Sequence, residues 1–404
     1  MHFCKIFKSK KSLTSAIVIF AFVFIAFNSQ QNTGRIYGRL LLNNGDEIEG
    51  RISLGDTVFE TLWIHPFNAE YDFFEHNRDA YDRQRKLHNR VSDVINKLTV
   101  MYGYIEKMTN ERNRVNVLLK DGREFLVYGG DSREQLSVLD ADGISYKVSW
   151  RDLSSIEFSE EPESYSESIN EITLPLFGVV SLNSGQKFKG FLIWDKDESL
   201  STDLLNGREG RYDREIPFGS IKRIRPLNRS SSEITMWSNR QLVLTGTNDV
   251  DNENRGLVVL NNDIGIIEIE WKFVTNVDFE RNVYGKSYSD FEPGKPVHGV
   301  VTNSRGEQFE GFIKWDDDEN MSIDYLNGEL DGLIFIIEFS NIAEIRRRTR
   351  RSSTVVLKNG VELRLSNTND VDYNNKGIVV LENPDDPEGK IFQWDEFEKL
   401  VLTK

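Results

Sequence analysis

The chain has 404 residues, and its 65 Asp and Glu outnumber its 50 Lys and Arg, which gives a formal net charge of −15 at pH 7. Such an acidic chain repels a phosphate backbone, so the composition argues against general nucleic-acid binding. The single cysteine, Cys4, excludes a disulfide within the chain, so stability must come from core burial.

The N-terminus has the pattern of a targeting segment. Four lysines between positions 5 and 11 precede an apolar run of 12 residues, 16–27. This length suits a secretory signal and is short for a membrane span. We predict that residues 1–29 are a signal peptide or, because no clean cleavage site follows the run, an uncleaved signal anchor. The rest of the chain is then exported, to the periplasm or the cell surface.

One glycine-rich phrase occurs three times, at 39–57, 179–198 and 300–319. Its middle glycine follows Asn-Asn, Asn-Ser or Ser-Arg in a turn that needs positive φ. The strand after the turn alternates apolar and polar residues, as in Phe309-x-Gly311-x-Ile313-x-Trp315. Its glycine predicts a sharp bend or a close approach of two backbones.

Longer internal repeats accompany this phrase. Trp150, Trp271 and Trp394 are 121 and 123 positions apart, and similar residues follow each one. We predict three tandem repeats of about 120 residues, at 34–158, 175–280 and 297–404. Asn-Gly and Asp-Gly hairpin signals at Gly45, Gly122 and Gly360 suggest that each repeat consists of two small barrel-like half-modules. The predicted fold is therefore all-β, made of tandem small β-barrel-like modules.

Repeat one carries an insertion at about 68–98 that is polar and lacks Gly and Pro. One helical face would hold its apolar residues Leu87, Val91, Val94, Ile95 and Leu98. The insertion is predicted to be a helix, which either packs across a barrel or binds a partner.

The start of each repeat resembles the first sequence motif of Sm-like proteins, which are small, strongly bent, SH3-like β-barrels. The resembling residues in repeat three are Gly306, Gly311, Asp316 and Asn320. Repeat two has the two glycines and the aspartate, with Ser199 in place of the Asn. The resemblance covers about 25 residues per repeat and implies the fold only, because export and acidity argue against RNA binding.

Two Asn/Asp-rich loops are candidate metal sites. They share the sequence Asn-Asp-Val-Asp, a further Asn and then a Gly, and their oxygen side chains could wrap a hard cation such as Ca²⁺. The alternative is an Asx-rich turn whose side chains cap backbone amides. The candidate ligands are Asn248, Asp249, Asp251, Asn254, Asn369, Asp370, Asp372 and Asn375.

Acidic hairpin tips are a second candidate site. Asp195, Asp197 and Glu198 follow Trp194, and residues 316–319 repeat the pattern after Trp315. One interpretation is cation or sugar binding beside the tryptophan. The other is a charged hairpin tip after a core tryptophan, which the alternation of the strand favours.

One basic block, Arg-Arg-Arg-Thr-Arg-Arg, occupies 346–351, and repeat two has the sparser Lys222, Arg223, Arg225 and Arg229 there. It could hold an anionic glycan, a lipid headgroup or an acidic partner, or be a solvated linker.

Motifs for catalysis are missing from the sequence. The histidines lack metal spacing, and no nucleophile elbow, phosphate loop or dinucleotide fingerprint occurs. We therefore expect a non-enzymatic exported protein that binds or scaffolds a protein or glycan of the cell envelope. Contact with the membrane is expected only through an uncleaved signal anchor. The alternative is a Ca²⁺-dependent carbohydrate-binding protein that uses the Asn-Asp-Val-Asp loops.

Overall fold

The computed structural model describes residues 35–54, 66–68, 99–111, 114–128, 135–168, 173–316, 318–386 and 388–403. The predicted signal segment 1–29 and residues 69–98 of the predicted helical insertion lie outside the described residues. The described residues all belong to one compact unit. Among the described residues, no helix is long and apolar enough to span a membrane.

The all-β prediction is confirmed. Of the strands in the described residues, the first ten lie before residue 160. They are β1 Tyr37–Leu42, β2 Glu47–Leu54, β3 Pro66–Asn68, β4 Thr99–Met101, β5 Ile105–Asn110, β6 Arg114–Leu119, β7 Glu124–Tyr128, β8 Gln135–Leu139, β9 Ser145–Ser149 and β10 Leu153–Phe158.

The next ten strands lie between residues 177 and 280. They are β11 Phe177–Leu182, β12 Lys187–Trp194, β13 Leu204–Glu209, β14 Tyr212–Pro217, β15 Ile221–Asn228, β16 Ser231–Met236, β17 Gln241–Thr245, β18 Leu257–Asn261, β19 Gly265–Ile269 and β20 Val274–Glu280.

The last ten strands lie between residues 298 and 402. They are β21 His298–Asn303, β22 Gln308–Trp315, β23 Tyr325–Leu330, β24 Leu333–Glu338, β25 Ile342–Thr349, β26 Ser352–Leu357, β27 Glu362–Ser366, β28 Ile378–Leu381, β29 Lys390–Phe392 and β30 Phe397–Leu402.

Helix is scarce in the described part of the chain. The one α-helix there, α1, spans Glu163–Ser168. Short 3₁₀ turns occur at Tyr102–Tyr104, Trp150–Asp152, Phe218–Ser220, Trp271–Phe273, Tyr288–Asp290, Phe339–Asn341 and Asn369–Val371.

Two large antiparallel sheets hold these strands, and β3 and β4 pair separately. The first sheet has the order β7-β6-β5-β10-β1-β2-β8-β9. In the second, 20-stranded sheet, the paired strands run β14-β13-β17-β16-β15-β20-β11-β12-β18-β19. They continue as β24-β23-β27-β26-β25-β30-β21-β22-β28-β29.

The predicted small barrels are not found, because the described strands form no closed barrel. We call β11–β20 the middle segment and β21–β30 the third segment. To close the middle segment into a barrel, β19 would have to pair with β14. Instead β19 pairs with β24, with Ile266 opposite Ile336 and Ile267 opposite Phe335. The free edge of β19, which would close a barrel, is therefore paired with β24 and extends the sheet into the third segment.

The structure confirms the predicted roles of the repeated glycines. Gly45, Gly185 and Gly306 have φ of 91°, 87° and 80° in hairpin turns. The strand glycines lie opposite each other across each hairpin, as Gly178 lies opposite Gly190. A Cβ on Gly190 would overlap the carbonyl oxygen of Leu260 on β18, so the glycine permits a close approach of two backbones.

Two clusters of buried side chains form the core. The larger one runs through β11–β30 and includes Trp194, Trp271, Trp315 and Trp394. The second joins residues of the first sheet to residues of the second sheet such as Tyr325. The apolar face of each strand thus supplies the burial that a chain without disulfides needs.

The segment 284–296, between predicted repeats two and three, packs on residues of the first sheet and its turns. The rings of Tyr104 and Phe291 meet edge to face with centroids 5.1 Å apart. Lys120 Nζ donates to the carbonyl oxygens of Tyr288 and Phe291 at 2.6 and 3.0 Å. The Arg123 guanidinium pairs with Asp324 at 2.8 Å. Residues 284–296 and Asp324 therefore connect the two sheets.

Candidate functional site

Each acidic hairpin tip begins directly after a strand whose last residue is a core tryptophan. The side chains of Trp194 and Trp315 are fully buried. The next residues, Asp195 and Asp316, have left-handed backbones with φ of 48° and 46°, a conformation that Asp tolerates better than most residues. Both aspartates are nonetheless fully buried, so the chain turns their carboxylates inward.

The Asn-Asp-Val-Asp loops reach these buried carboxylates. In the middle segment, Asn248 Nδ2 and the backbone N–H of Arg255 donate to Asp195. In the third segment, Asn369 Nδ2 and the backbone N–H of Lys376 donate to Asp316, the latter at 2.5 Å. The acidic hairpin tip and the Asn-Asp-Val-Asp loop of each segment therefore form one site, which we call a carboxylate cluster. The middle cluster contains Asp195, Asp197, Glu198, Asn248 and Asp249, and the third-segment cluster contains Asp316, Asp318, Glu319, Asn369 and Asp370.

The aspartate after each Asn holds the cluster to the sheet. The backbone N–H of Asn206 donates to Asp249 Oδ2, and that of Asn327 donates to Asp370 Oδ2, both at 2.6 Å. Asp249 and Asp370 are 3% and 2% exposed. Charge-assisted bonds of this kind satisfy one carboxylate oxygen and fix its position.

The other candidate ligands bond within their own loops. Asp251 Oδ1 accepts from the N–H of Glu253 at 2.9 Å, and Asn254 Oδ1 from that of Gly256 at 2.8 Å. Their counterparts Asp372 and Asn375 do the same at 2.8 and 2.9 Å. These four residues thus form Asx turns, whereas Asn248, Asp249, Asn369 and Asp370 belong to the two clusters.

Burial dominates the electrostatics of the clusters. It raises the pKa of Glu198 and of Glu319 to about 10, with further increases from nearby aspartates. It also raises the pKa of Asp370 to about 6, and it raises the pKa of Asp249 and of Asp316. Each cluster therefore favours a bound proton or another positive charge.

The two clusters differ in how they obtain a positive charge. In the middle segment, the Arg255 guanidinium pairs with Asp195 at 3.2 Å and also with Asp197. Lys376 takes this position in the third segment. No ion pair joins its ammonium to a carboxylate of the described residues.

The third-segment cluster also has the geometry to hold a cation. Oxygens of Asp316, Asp318 and Glu319 lie within 4.8 Å of one another. Carboxylate oxygens are the ligands that Ca²⁺ prefers, so this cluster could take a hard cation where the middle segment has an arginine. Asp317 lies outside the described residues. So does Asp131, the one residue of the Asn-Asp-Val-Asp loop that repeat one keeps.

The sequence held a signal for joining the two candidate sites. Asp195 and Asp249 are each 121 positions before their counterparts Asp316 and Asp370, so both elements recur with one offset. A shared offset is compatible with contact but does not require it. The contact became evident only from the pairing of β12 with β18, which follows the loop.

The remaining sequence candidates have simpler surroundings. Because Trp194 and Trp315 are buried, their faces are not open for stacking on a sugar. In the basic block, Arg346 pairs with Glu344 at 2.5 Å and with Glu362 at 2.7 Å. Arg350 lies 4.6 Å from the centroid of the Tyr373 ring.

Comparisons with protein-family models, with curated proteins and with solved structures give no match for this chain.

Proposed function

We propose that this chain is a non-enzymatic scaffolding or binding protein built from three tandem β-repeats. One observation carries the proposal: β11–β20 and β21–β30 have the same strand order, and the pairing of β19 with β24 joins them edge to edge. Repeated units that add strands in this way make an extended surface rather than one enclosed pocket.

The first sheet supports the same interpretation. Its order β7-β6-β5-β10-β1-β2-β8-β9 corresponds strand by strand to β17-β16-β15-β20-β11-β12-β18-β19. The short antiparallel pair β3–β4, with Pro66 opposite Met101, takes the place of β13–β14 before the 3₁₀ turn Tyr102–Tyr104. Three copies of one strand order with different side chains suit a protein that presents several surfaces to its partners.

We further propose that the protein is exported to the periplasm or the cell surface and binds a protein or glycan there. The basic and apolar N-terminal residues support export. The net charge of −15 supports a partner other than nucleic acid. Fractionation of cells that express the chain with and without residues 1–29 tests this part, since loss of the segment should leave the protein in the cytoplasm.

Site-specific photo-crosslinking in the source cells tests the binding function. Tyr146, Val243 and Ile391 are 37%, 48% and 57% exposed and lie on different strands, so a crosslinker there should not disturb the core. We expect a discrete adduct from at least one position. Folded protein that gives no adduct from any of the three would contradict a scaffolding role.

Calcium-dependent binding is a second candidate function. It is favoured by the convergence of Asp316, Asp318 and Glu319. A carbohydrate ligand would then contact the loops rather than the buried tryptophans. Thermal unfolding of metal-stripped residues 30–404 with and without millimolar Ca²⁺ tests it, because a micromolar site adds about 4 kcal/mol at a thousandfold excess of ligand.

Three variants localise such a site. Asp318→Asn should abolish a Ca²⁺-dependent rise in midpoint. Asp372→Ala should preserve it, because Asp372 bonds within its own loop. Asp197→Asn should also preserve it, because Arg255 supplies the positive charge in the middle segment. A thermal unfolding midpoint that does not change when Ca²⁺ is added would rule out this second function.

A further inference from the structure

A basic hollow lies on the outward face of β15, β16 and β17. Its volume is about 330 Å³. Three cationic side chains and three others line it, namely Lys222, Arg223, Arg225, Glu233, Thr235 and Gln241. In a chain with a net charge of −15, such a concentration of positive charge needs an explanation.

A β-bulge creates this concentration. Ile221 pairs with Met236 and Arg223 pairs with Thr235, so Lys222 is an extra residue in β15. A regular strand would turn consecutive side chains to opposite faces. Here Lys222 and Arg223 are both exposed, whereas Ile221 and Ile224 are buried.

The carboxylates on neighbouring strands do not occupy every N–H donor of the cations in the hollow. Arg223 pairs with Asp278 at 2.5 Å and Arg225 with Glu233 at 3.0 Å. A guanidinium has five N–H donors, so one carboxylate does not saturate it. No carboxylate of the described residues lies within 4.0 Å of the Lys222 ammonium. Three cations against two carboxylates leave one unit of positive charge.

The repeats show that the fold does not impose this charge. The same bulge in the third segment, between Ile342 and Glu344, carries Ala343. In the first sheet the bulge between Ile105 and Lys107 carries Glu106. At the positions of Arg223 and Gln241, the third segment has Glu344 and Glu362. The same backbone thus carries basic side chains in one copy and acidic ones in another.

We infer that the hollow binds an oxyanion: a carboxylate, sulfate or phosphate group of an anionic ligand. Two arginines at i and i+2 on one strand lie about 7 Å apart and can each offer a planar pair of donors to such a group. The bulge lysine adds a point charge beside them. This inference rests on the proposed binding function and names the chemistry of one partner.

Isothermal titration with purified residues 30–404 tests the inference. The probes are inorganic phosphate, inorganic sulfate and a soluble polyuronate, each at constant ionic strength held with NaCl. We expect saturable binding of at least one probe. The polyuronate identifies a carboxylate polymer as the source of the oxyanion, and the two inorganic ions identify a tetrahedral group.

The variant K222A/R225Q, which removes two of the three cations, should weaken binding by roughly tenfold or more. Arg346→Gln is the matched control, because Arg346 takes the position of Arg225 in the third segment, and it should leave the affinity within about twofold. Absence of binding by all three probes, or equal affinity of the double variant, would overturn the inference. Photo-crosslinks to other surfaces would be unaffected, so failure here is distinct from failure of the scaffolding proposal.

Discussion

The indole N–H of Trp194 donates a hydrogen bond of 3.0 Å to the backbone carbonyl of Asp249, which lies 55 positions later. Trp315 and Asp370 repeat the bond at the same length and the same separation. Each tryptophan therefore has two roles. Its ring fills the core, and its N–H holds the loop that completes a carboxylate cluster.

This bond predicts a difference between two tryptophans of the third segment. Trp394 is 4% exposed, and its N–H has no hydrogen-bond partner among the described residues. Trp315→Phe should cost about 1–3 kcal/mol more than Trp394→Phe, because it leaves the buried carbonyl of Asp370 unsatisfied. Urea unfolding of both variants measures the difference, and equal losses would show that the hydrogen bond adds nothing.

The raised pKa values predict a pH dependence. A carboxyl with a pKa of about 10 in the folded state binds more protons when folded than when unfolded, for which the ordinary value is 4.5. The free energy of unfolding should therefore fall as pH rises between about 4.5 and about 10, by up to about 1.4 kcal/mol per pH unit for each such group.

Glu319→Gln tests this dependence, because the amide stays neutral at every pH. The variant should show a shallower loss of stability with rising pH than the natural chain, and Glu198→Gln should reduce the slope further. The exposed Glu47 provides the control variant Glu47→Gln. Denaturant midpoints at three pH values between about 5 and 9 give the change in the free energy of unfolding with pH. If burial had no effect on the carboxyl, Glu319→Gln would leave this pH dependence unchanged.

A buried ion pair predicts how the first sheet is held to the segment after it. Arg51 and Glu161 are 8% and 6% exposed and make two bonds of 2.8 Å. Glu161→Ala should cost about 3–5 kcal/mol, since it leaves a buried guanidinium charge without this partner. It should also speed proteolysis near residues 159–170. The exposed neighbour Glu163 supplies the control, and Glu163→Ala should have little effect on either measurement.

Two glycines of one hairpin should respond differently to alanine. Gly190→Ala places a methyl group against the Leu260 carbonyl, which cannot move away from its strand, and should cost about 3 kcal/mol. Gly185→Ala meets open space and pays only for its positive φ, about 1 kcal/mol. Denaturant unfolding compares them, and a Gly190 variant no less stable than the Gly185 variant would show that the backbones separate freely.

The sequence by itself determined the secondary structure and much of its detail. Asn-Gly and Ser-Gly turns, period-two alternation and a glycine within the strand are local patterns, and local sterics fix their meaning. For this reason the turns at Gly45, Gly185 and Gly306 and the core positions of Trp194 and Trp315 were predictable.

Only the tertiary structure decided which distant segments meet. A strand with alternating apolar and polar residues can either close a barrel or extend a sheet. Pairing of β19 with β14 would close a barrel, whereas its pairing with β24 extends the sheet. Likewise, the contact of Asp195 with Asn248 depends on long-range pairing between β12 and β18. Local patterns carry no information on that pairing, because backbone hydrogen bonds between strands are the same for every sequence and side-chain packing across the whole sheet selects the partner.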